Sequence, residues 1–217
     1  DLIGKKILIT AGGTREPIDP IRFIGNRSSG KQGFALAMAA ASRGAQVHLV
    51  IANSDLPNID GITTTAVETA EEMAAILNLE FPHCDALIMS AAVADAKVVN
   101  YSEGKIRKES LDKVELAKNP DILKSLAQIK RPGQIVVGFA AETMSSVDAL
   151  QKSGHEKLSS KNLDLIYVND VSDGAIFGQE KTKGIIIDNS NNVIKVPEIS
   201  KDTLADILLD QLVSKLG

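Results

Sequence analysis

The loop that follows the first apolar segment carries residue types that bind anions. Residues 12–29 (GGTREPIDPIRFIGNRSS) separate that segment from an alanine-rich one. A connection from a strand to a helix normally takes about 2–6 residues, and longer connections are often functional. Free backbone amides at the start of a helix form an anion site. Six small residues are therefore candidate contacts for phosphate or substrate: Gly12, Gly13, Thr14, Ser28, Ser29 and Gly30.

This loop matches neither of two common nucleotide-binding motifs. The dinucleotide fingerprint GxGxxG needs glycines two positions apart after the strand, and the glycines here are adjacent. The phosphate-binding motif GxxxxGK[ST] matches at Gly25, Gly30 and Lys31, but Gln32 follows and has no hydroxyl for Mg²⁺. A serine that only caps the helix is the alternative explanation. Seven basic against three acidic residues in positions 1–50 favour the anion site.

A second loop, residues 90–108, follows the apolar segment DALIMS and combines small residues with charge. Ala91 and Ala92 would let a ligand approach the backbone, and Asp95 could accept hydrogen bonds from a sugar or a base. The loop ends in a cationic cluster: Lys105, Arg107 and Lys108. The cluster is either a solvated surface run or part of a lid over an anionic substrate.

The second loop also contains a YxxxK pattern, Tyr101 to Lys105, which short-chain reductases use to protonate a carbonyl. The pair works on a helix, where residues four apart share a face. Gly104 disfavours a helix here, and the reductase's glycine pattern is missing after the first strand. We interpret the pattern as coincidence. A nicotinamide-dependent reductase is the alternative enzyme, and a protein that binds a nucleotide without turnover is the non-enzymatic alternative.

A third candidate region begins at the end of the apolar segment QIVVGFA. Phe139 is either a core residue or a ring that stacks on a base. Lys157 and Lys161 are four residues apart, so they share one face of a predicted helix. Like charges at that spacing destabilise the helix unless an anion binds between them.

The elements that must position these loops alternate between apolar and helical segments, the pattern of a parallel sheet. The predicted strands are residues 6–11, 46–52, 62–67, 85–91, 134–140 and 163–168. The predicted helices are residues 30–43, 68–79, 120–129, 145–160 and 201–216. Asn119 would cap the third helix with Pro120 as its first residue. Residues 184–188 and 193–197 form a predicted hairpin.

These elements predict a doubly wound, Rossmann-like α/β fold. Its sheet is mostly parallel, with helices on both faces and an antiparallel β-hairpin near the C-terminus. In such folds the ligands bind at the carboxyl ends of the strands, where connections leave in opposite directions. All three candidate loops follow predicted strands, so the chemistry is expected at that edge.

Five segments resemble bacterial phosphopantothenate–cysteine ligase, also called phosphopantothenoylcysteine synthetase. They are ITAGGTREPIDPIRFIGNRSSGKQGFALA, SAAVAD followed by KIRK, KNPDIL, GFAAET and KNLDLIYVND. The resemblance implies that CTP and Mg²⁺ activate the carboxylate of 4′-phosphopantothenate as an acyl-cytidylate and release pyrophosphate. The amine of L-cysteine then gives 4′-phosphopantothenoylcysteine and CMP, a step of coenzyme A biosynthesis.

The resemblance also implies roles for individual residues. Asn26 would handle the acyl-cytidylate with Arg22 beside it, and Lys105 would stabilise charge from a mobile loop. The residues implied in CTP binding are Ser90, Ala91, Asp95, Lys105, Pro120, Asp121, Ile122, Leu123, Phe139, Lys157 and Lys161. Ala92 and Lys108 are further candidate contacts for phosphate or substrate. Mg²⁺ would bind with the nucleotide and not through protein ligands alone.

Composition excludes several other classes of protein. The chain has 217 residues, one cysteine, a net charge of -4 and 3% aromatic residues. No apolar run approaches the ~20 residues of a membrane span. We therefore predict a cytoplasmic protein that binds neither nucleic acid nor membranes. Cys84 is predicted to be a core residue, and three scattered histidines argue against a zinc site.

The resemblance completes the expected organisation. Residues 1–217 would form one ligase domain, the C-terminal half of a longer chain whose other half is an FMN-dependent decarboxylase. The family forms dimers, so we expect a homodimer. Basic residues outnumber acidic ones in residues 1–50 and 101–161, although the whole chain is acidic. Two phosphorylated substrates need such a local positive field.

Overall fold

The structure, a computed structural model, describes residues 1–107, 112–143, 146–171 and 179–217. The strands are β1 (Lys6–Gly12), β2 (Arg15–Pro17), β3 (Phe23–Gly25), β4 (Gln46–Ala52), β5 (Thr63–Val67), β6 (Ala86–Met89), β7 (Ala96–Val98), β8 (Leu116–Lys118), β9 (Ile135–Glu142), β10 (Leu165–Asp170), β11 (Lys181–Asp188) and β12 (Val193–Ser200). The α-helices are α1 (Lys31–Ser42), α2 (Ala70–Glu80), α3 (Ile122–Gln128), α4 (Val147–Ser160) and α5 (Lys201–Leu216).

One large sheet has the strand order β12-β11-β10-β9-β6-β1-β4-β5. The six strands from β10 to β5 in this order are parallel, and β11 and β12 form an antiparallel hairpin at one edge. The predicted doubly wound fold is confirmed. The chain leaves β1 toward β4 and later returns to β6 on the other side of β1. The strand order therefore reverses between β1 and β6, and ligands bind at the carboxyl edge of such a switch point.

Helices cover both faces of this sheet. α1 and α5 pack on one face, where Leu36 and Leu204 are fully buried. α2, α3 and α4 pack on the other, with Met73 and Leu126 in the core. Because both faces are covered, the central strands are continuous apolar runs, and all four residues of β6 are buried.

The start of α3 differs from the prediction. Asp121 is its N-cap, and the carboxylate accepts from the backbone N–H of Lys124 at 3.0 Å. Pro120 therefore lies outside the helix, and the predicted cap at Asn119 is wrong. The Asn119 Nδ2 donates instead to the carbonyl oxygen of Ala94 at 2.9 Å, which joins this segment to the loop after β6.

The first two candidate loops contain short ribbons that the sequence pattern did not predict. β2 pairs with β3 in the loop after β1, and β7 pairs with β8 after β6. Each of these strands has three residues, too few for a periodic pattern to appear. The first ribbon lies outside the core. Its Phe23 residue is 49% exposed, and the Arg15 guanidinium lies 4.5 Å from the centre of the Phe23 ring.

Gly33 determines how closely α1 approaches the switch point. A Cβ atom at Gly33 would lie 2.5 Å from the Ala11 Cβ and 2.6 Å from both the Ser90 Oγ and the Thr10 carbonyl oxygen. These distances are far below normal contacts, so a larger residue would push the helix away. The first turn of α1 thus lies directly against β1 and the residue that follows β6.

We expect Gly33→Ala to destabilise the protein by about 1–3 kcal/mol, the usual cost of overpacking. Helix propensity alone would favour alanine by about 1 kcal/mol. The sign of the change in the free energy of unfolding therefore distinguishes a packing effect from a propensity effect. Urea unfolding measures the difference. Gly104→Ala is the control, because a Cβ there meets nothing within 4 Å. A Gly33→Ala variant as stable as wild type would contradict the packing argument.

Candidate active site

A cleft of about 490 Å³ opens at the carboxyl ends of β6, β9 and β10. Its walls are formed by residues 26–33, 89–95, 119–123 and 139–141. Two residues from the end of α4 and two from β10 complete them, with one residue each from β11 and α5. The volume falls within the ~300–1,000 Å³ of small-molecule sites. All three candidate loops contribute to it, at the sheet edge that the topology predicts.

The lining of the cleft is strongly positive. Five basic side chains line it: Arg27, Lys31, Lys157, Lys161 and Lys201. In the part of the chain that the structure describes, the acidic side chains of the lining are those of Asp95 and Asp121. A concave site with one predominant sign of charge concentrates ligands of the opposite sign. The cleft is therefore suited to an anionic ligand.

Asn26 lines the cleft with an exposed side chain. Its Nδ2 donates to the carbonyl oxygen of Val93 at 3.0 Å, which joins the first candidate loop to the second. An amide offers both donors and an acceptor without net charge. The group can therefore hydrogen-bond a ligand oxygen without adding repulsion between negative charges.

Ser28 and Ser29 line the cleft but do not cap α1 with their side chains. The N-cap is Gly30, whose φ of 75° is easily adopted by glycine, and the helix has no side-chain cap. The Ser28 Oγ accepts a long hydrogen bond from the Gly30 N–H, at 3.4 Å. The alternative in which a serine caps this helix is wrong. The first turn of α1 presents amide groups uncapped by side chains beside the cleft.

The residues after β6 form the next part of the wall. Ser90, Ala91, Ala92 and Asp95 all line the cleft. The Ser90 hydroxyl donates to the Thr10 carbonyl oxygen at 2.5 Å, which anchors this segment to β1. The Asp95 side chain is exposed, so its carboxylate is accessible to a ligand.

Lys157 and Lys161 both line the cleft, and each pairs with a carboxylate. The Lys161 Nζ lies 2.8 Å from the Asp121 Oδ2, and Lys157 pairs with Glu142. The hydrogen bond from Lys157 holds the pKa of Glu142 below its ordinary value. Burial alone would raise the pKa of Asp121, but the Lys161 ammonium and backbone donors outweigh it and lower the pKa. The predicted repulsion between the lysines is thus offset within the protein.

Phe139 is half-buried in the cleft wall, so part of its ring is accessible to a ligand. It packs edge-on against Tyr167, with the ring centroids 5.6 Å apart. The buried Tyr167 hydroxyl lies 2.8 Å from the Thr182 Oγ1, which donates to the Asn169 Oδ1 at 3.0 Å. Burial raises the pKa of Tyr167 well above its ordinary value, so its hydroxyl stays neutral.

Three predicted contacts lie behind the cleft wall. Gly12 has φ of 81°, and a Cβ there would lie 1.9 Å from the Ala52 carbonyl oxygen. A Cβ at Gly13 would crowd another backbone oxygen at 3.0 Å. The buried Thr14 Oγ1 accepts from the Ala94 N–H at 2.8 Å. These residues let the loops pack closely and do not line the cleft, so their contact with substrate stays a prediction.

Arg22, predicted to be catalytic, joins two loops outside the cleft lining. Its Nη1 lies 2.9 Å from the Asp19 Oδ2 and donates to the Ile106 carbonyl oxygen at 3.2 Å. Asp19 also accepts from the backbone N–H groups of Ile21, Arg22 and Ile106. Burial would raise the pKa of Asp19, but these donors and the guanidinium lower it. Within this chain Arg22 positions the loop after β7 and lies outside the cleft wall.

Lys105 is exposed on that loop and does not line the cleft. Ten of the eleven residues implied in CTP binding do line it, and Lys105 is the exception. Lys108 lies outside the described residues. The segment from Tyr101 to Lys105 is not helical, so the YxxxK pair does not share a helix face. The expectation that this segment is not helical is confirmed, and the interpretation of the pattern as coincidence stays a prediction.

Sequence reasoning missed four lining residues from the C-terminal part of the chain: Tyr167, Asn169, Thr182 and Lys201. They reach the cleft because β10, β11 and α5 pack beside β9, a relation that no local pattern reveals. One signal was available. Lys201 is the first residue of α5, where the helix dipole disfavours a cation.

Cys84 is buried, and its thiol donates to the Phe81 carbonyl oxygen at 3.3 Å. Burial raises the pKa of the Cys84 thiol to about 11, so it is not a nucleophile at neutral pH. The prediction of a core residue is confirmed. In the described ranges, no three His, Cys, Asp or Glu side chains cluster as metal ligands, and no helix could span a membrane.

Fold and cleft together define a doubly wound α/β protein with a cationic ligand site at its switch point. Residues 2–216 match the DNA/pantothenate metabolism flavoprotein C-terminal domain family, and the chain belongs to that family.

Known relatives match over nearly the whole chain. The coenzyme A biosynthesis bifunctional protein CoaBC of Mycobacterium bovis is 38% identical over 225 aligned positions, covering 100% of this chain and 54% of the relative. A cysteine/cysteine sulfinic acid decarboxylase of an unknown prokaryotic organism is 42% identical, covering 95% and 58%. The crystal structure of a CoaBC C-terminal domain has a TM-score of 0.84 and 35% identity, covering 99% and 97%. The chain spans about half the length of these curated relatives.

Because of the Asp19 carboxylate, we expect the folded protein to lose stability in acid. Because its pKa is lowered in the folded state, ionised Asp19 stabilises the fold above the unfolded-state pKa of about 3.9. That contribution is lost as the pH falls below this value. We expect Asp19→Asn to be less stable than wild type at pH 7, and the difference to shrink toward about pH 3.

Urea unfolding across this pH range measures the two stabilities. Asp60→Asn is the matched control, because Asp60 is exposed and should show a small difference at every pH. A gap between Asp19→Asn and wild type that stays constant with pH would show that ionisation of Asp19 plays no part.

Proposed function

We propose that this chain catalyses the CTP-dependent ligation of 4′-phosphopantothenate with L-cysteine in coenzyme A biosynthesis. The proposal rests on one observation. Ten of the eleven residues implied in CTP binding line the same cationic cleft as Asn26, although they come from separate segments of the chain. Five basic side chains in the lining suit a triphosphate. The name of the CoaBC relatives supports the assignment to coenzyme A biosynthesis.

The proposed reaction has two steps. A carboxylate oxygen of 4′-phosphopantothenate attacks the α-phosphorus of CTP, an acyl–O–P linkage forms, and pyrophosphate leaves. The amine nitrogen of cysteine then attacks the acyl carbon. The acyl C–O bond breaks, CMP leaves with the bonding electrons, and the nitrogen loses a proton as the amide forms.

In this scheme the cleft supplies charge and hydrogen bonds, and no side chain acts as a nucleophile. The amides that open α1, together with Lys31, would stabilise the phosphates. Asn26 would donate to the acyl oxygen as negative charge develops there. The exposed part of the Phe139 ring would stack on the base, and Asp95 would accept its hydrogen bonds.

The cleft residues fit an Mg²⁺ ion that arrives with the nucleotide. Mg²⁺ usually binds through one or two carboxylates plus substrate phosphates and keeps several waters. Asp95 and Asp121 both line the cleft, but Asp121 already pairs with Lys161. Asp95 is assigned to the base, so the ion would be held chiefly by the nucleotide phosphates and by water. When bound, the ion neutralises phosphate charge.

The proposal extends to the assembly. Exposed apolar side chains on the two ribbons support contact with a second copy: Phe23 is 49%, Val99 47% and Leu116 49% exposed. Lys105 lies between Val99 and Leu116 in the sequence, and its role in charge stabilisation is part of the same proposal. The relatives are named as bifunctional, which supports a chain that acts as half of a longer polypeptide. Its location in the cytoplasm is part of the proposal.

The second relative's name offers another activity, decarboxylation of cysteine or cysteine sulfinic acid. Those substrates carry no phosphate. Five basic side chains in a cleft of about 490 Å³ exceed what they would need, so the cleft favours the ligase.

Pyrophosphate release tests the proposed function directly. With CTP, Mg²⁺, 4′-phosphopantothenate and cysteine all present, release should continue over many turnovers. Without cysteine it should stop at about one pyrophosphate per site, because the acyl-cytidylate is formed but not consumed. Without 4′-phosphopantothenate there should be none. No release with all four components present would refute the ligase.

The Asn26→Asp variant separates the two steps. It replaces an amide donor with a negative charge where the acyl oxygen would develop charge, so we expect kcat to fall by about 100-fold or more. The single pyrophosphate released without cysteine should persist. Asn58→Asp adds the same charge at an exposed position outside the cleft and should leave kcat unchanged. Equal kcat values for the two variants would remove Asn26 from the mechanism.

A further inference from the structure

One end of the cleft contains residues that the proposed mechanism has used least. Lys31 and Lys201 line this part of the wall, with Gln32 and Thr182 beside them. The Gln32 Nε2 donates to the Lys201 carbonyl oxygen at 3.1 Å, so the starts of α1 and α5 are joined directly. Two helices thus begin side by side at the cleft, each with a lysine as its first residue.

This arrangement is electrostatically unfavourable without a ligand. The amino-terminal ends of both helices carry partial positive charge, which repels an ammonium group. Burial and the charge of Lys31 lower the pKa of Lys201, and Glu180 only partly opposes them. Glu180 pairs with Lys31, and its side chain is 78% exposed. Two ammonium groups and two positively charged helix ends therefore lie close together, and the carboxylate of Glu180 beside them is largely solvated.

A phosphate group would offset this unfavourable charge. It carries up to two negative charges and accepts several hydrogen bonds, so it can bind two ammonium groups at once. We propose that Lys31 and Lys201 form a phosphate-binding subsite in the cleft. The phosphoryl group would come either from the terminal phosphates of the nucleotide or from the phosphomonoester of 4′-phosphopantothenate. The identity of these two sources rests on the proposed function, whereas the binding of a phosphate group at Lys31 and Lys201 does not.

Lys201→Gln tests the subsite, with Lys195→Gln as the matched control. Lys195 is exposed on β12, so its substitution makes the same change in net charge outside the cleft. Calorimetric titration with inorganic pyrophosphate and with inorganic phosphate, in Mg²⁺, measures binding without turnover. We expect Lys201→Gln to weaken anion binding by about 10- to 100-fold, the effect of losing one hydrogen bond between charged groups. Lys201→Arg should retain most of the affinity.

Thermal unfolding distinguishes a binding role from a structural one. Because the lysine opposes the helix dipole and the charge of Lys31, Lys201→Gln should have a Tm equal to or above that of wild type. Weaker binding together with undiminished stability supports the subsite. Equal anion affinity in Lys201→Gln and Lys195→Gln, or a wild-type chain that binds neither anion at millimolar concentration, would overturn it.

Steady-state kinetics identifies the source of the phosphate. A higher KM for CTP alone places the nucleotide phosphates at Lys201, and a higher KM for 4′-phosphopantothenate alone places the phosphomonoester there. Either result supports the subsite. If the wild-type chain binds pyrophosphate as expected but never releases it from CTP, the proposed function fails and the subsite stands.

Discussion

The close contact between α1 and the switch point is the constraint on which the site depends. Gly33 lets the first turn of α1 lie against Thr10 and Ala11 of β1 and against Ser90 after β6. Gly12 permits a similarly close approach to Ala52 of β4. The amides of α1 consequently lie beside the carboxyl ends of two central strands. A wider separation would move the start of α1 away from the loop that contributes Asp95.

Charge is distributed around that contact in a way that favours phosphorylated ligands. On one side the lysines of α4 are paired with carboxylates, so they are positioned by the protein itself. On the other side Lys31 and Lys201 share the exposed Glu180. A bound anion would gain most on the second side, where two helix ends add their positive charge to that of the lysines. A nucleotide that spans both sides would therefore contact lysines of α4 that the protein already holds in place. At its other end it would stabilise Lys31 and Lys201.

The sequence predicted the sheet well and the outer loops poorly. β4 and α5 have the predicted bounds, because a continuous apolar run and a long periodic segment are strong local signals. The ribbons were missed because three-residue strands have no period. Arg22 was expected in the site, but its partner Asp19 holds it outside. Lys201 was missed because only the strand order brings the start of α5 to the cleft. The local sequence shows a lysine at an unfavourable helix position, but it does not show that the helix begins at the cleft.

In the proposed reaction, this cleft joins a carboxylate to the α-phosphate of CTP before the amide forms. Mass spectrometry of CMP after turnover of 4′-phosphopantothenate labelled with ¹⁸O in its carboxylate tests it most directly. We expect one ¹⁸O atom in the phosphate of CMP, because the acyl C–O bond breaks and its oxygen stays on phosphorus. Turnover that gives amide product with unlabelled CMP would contradict it.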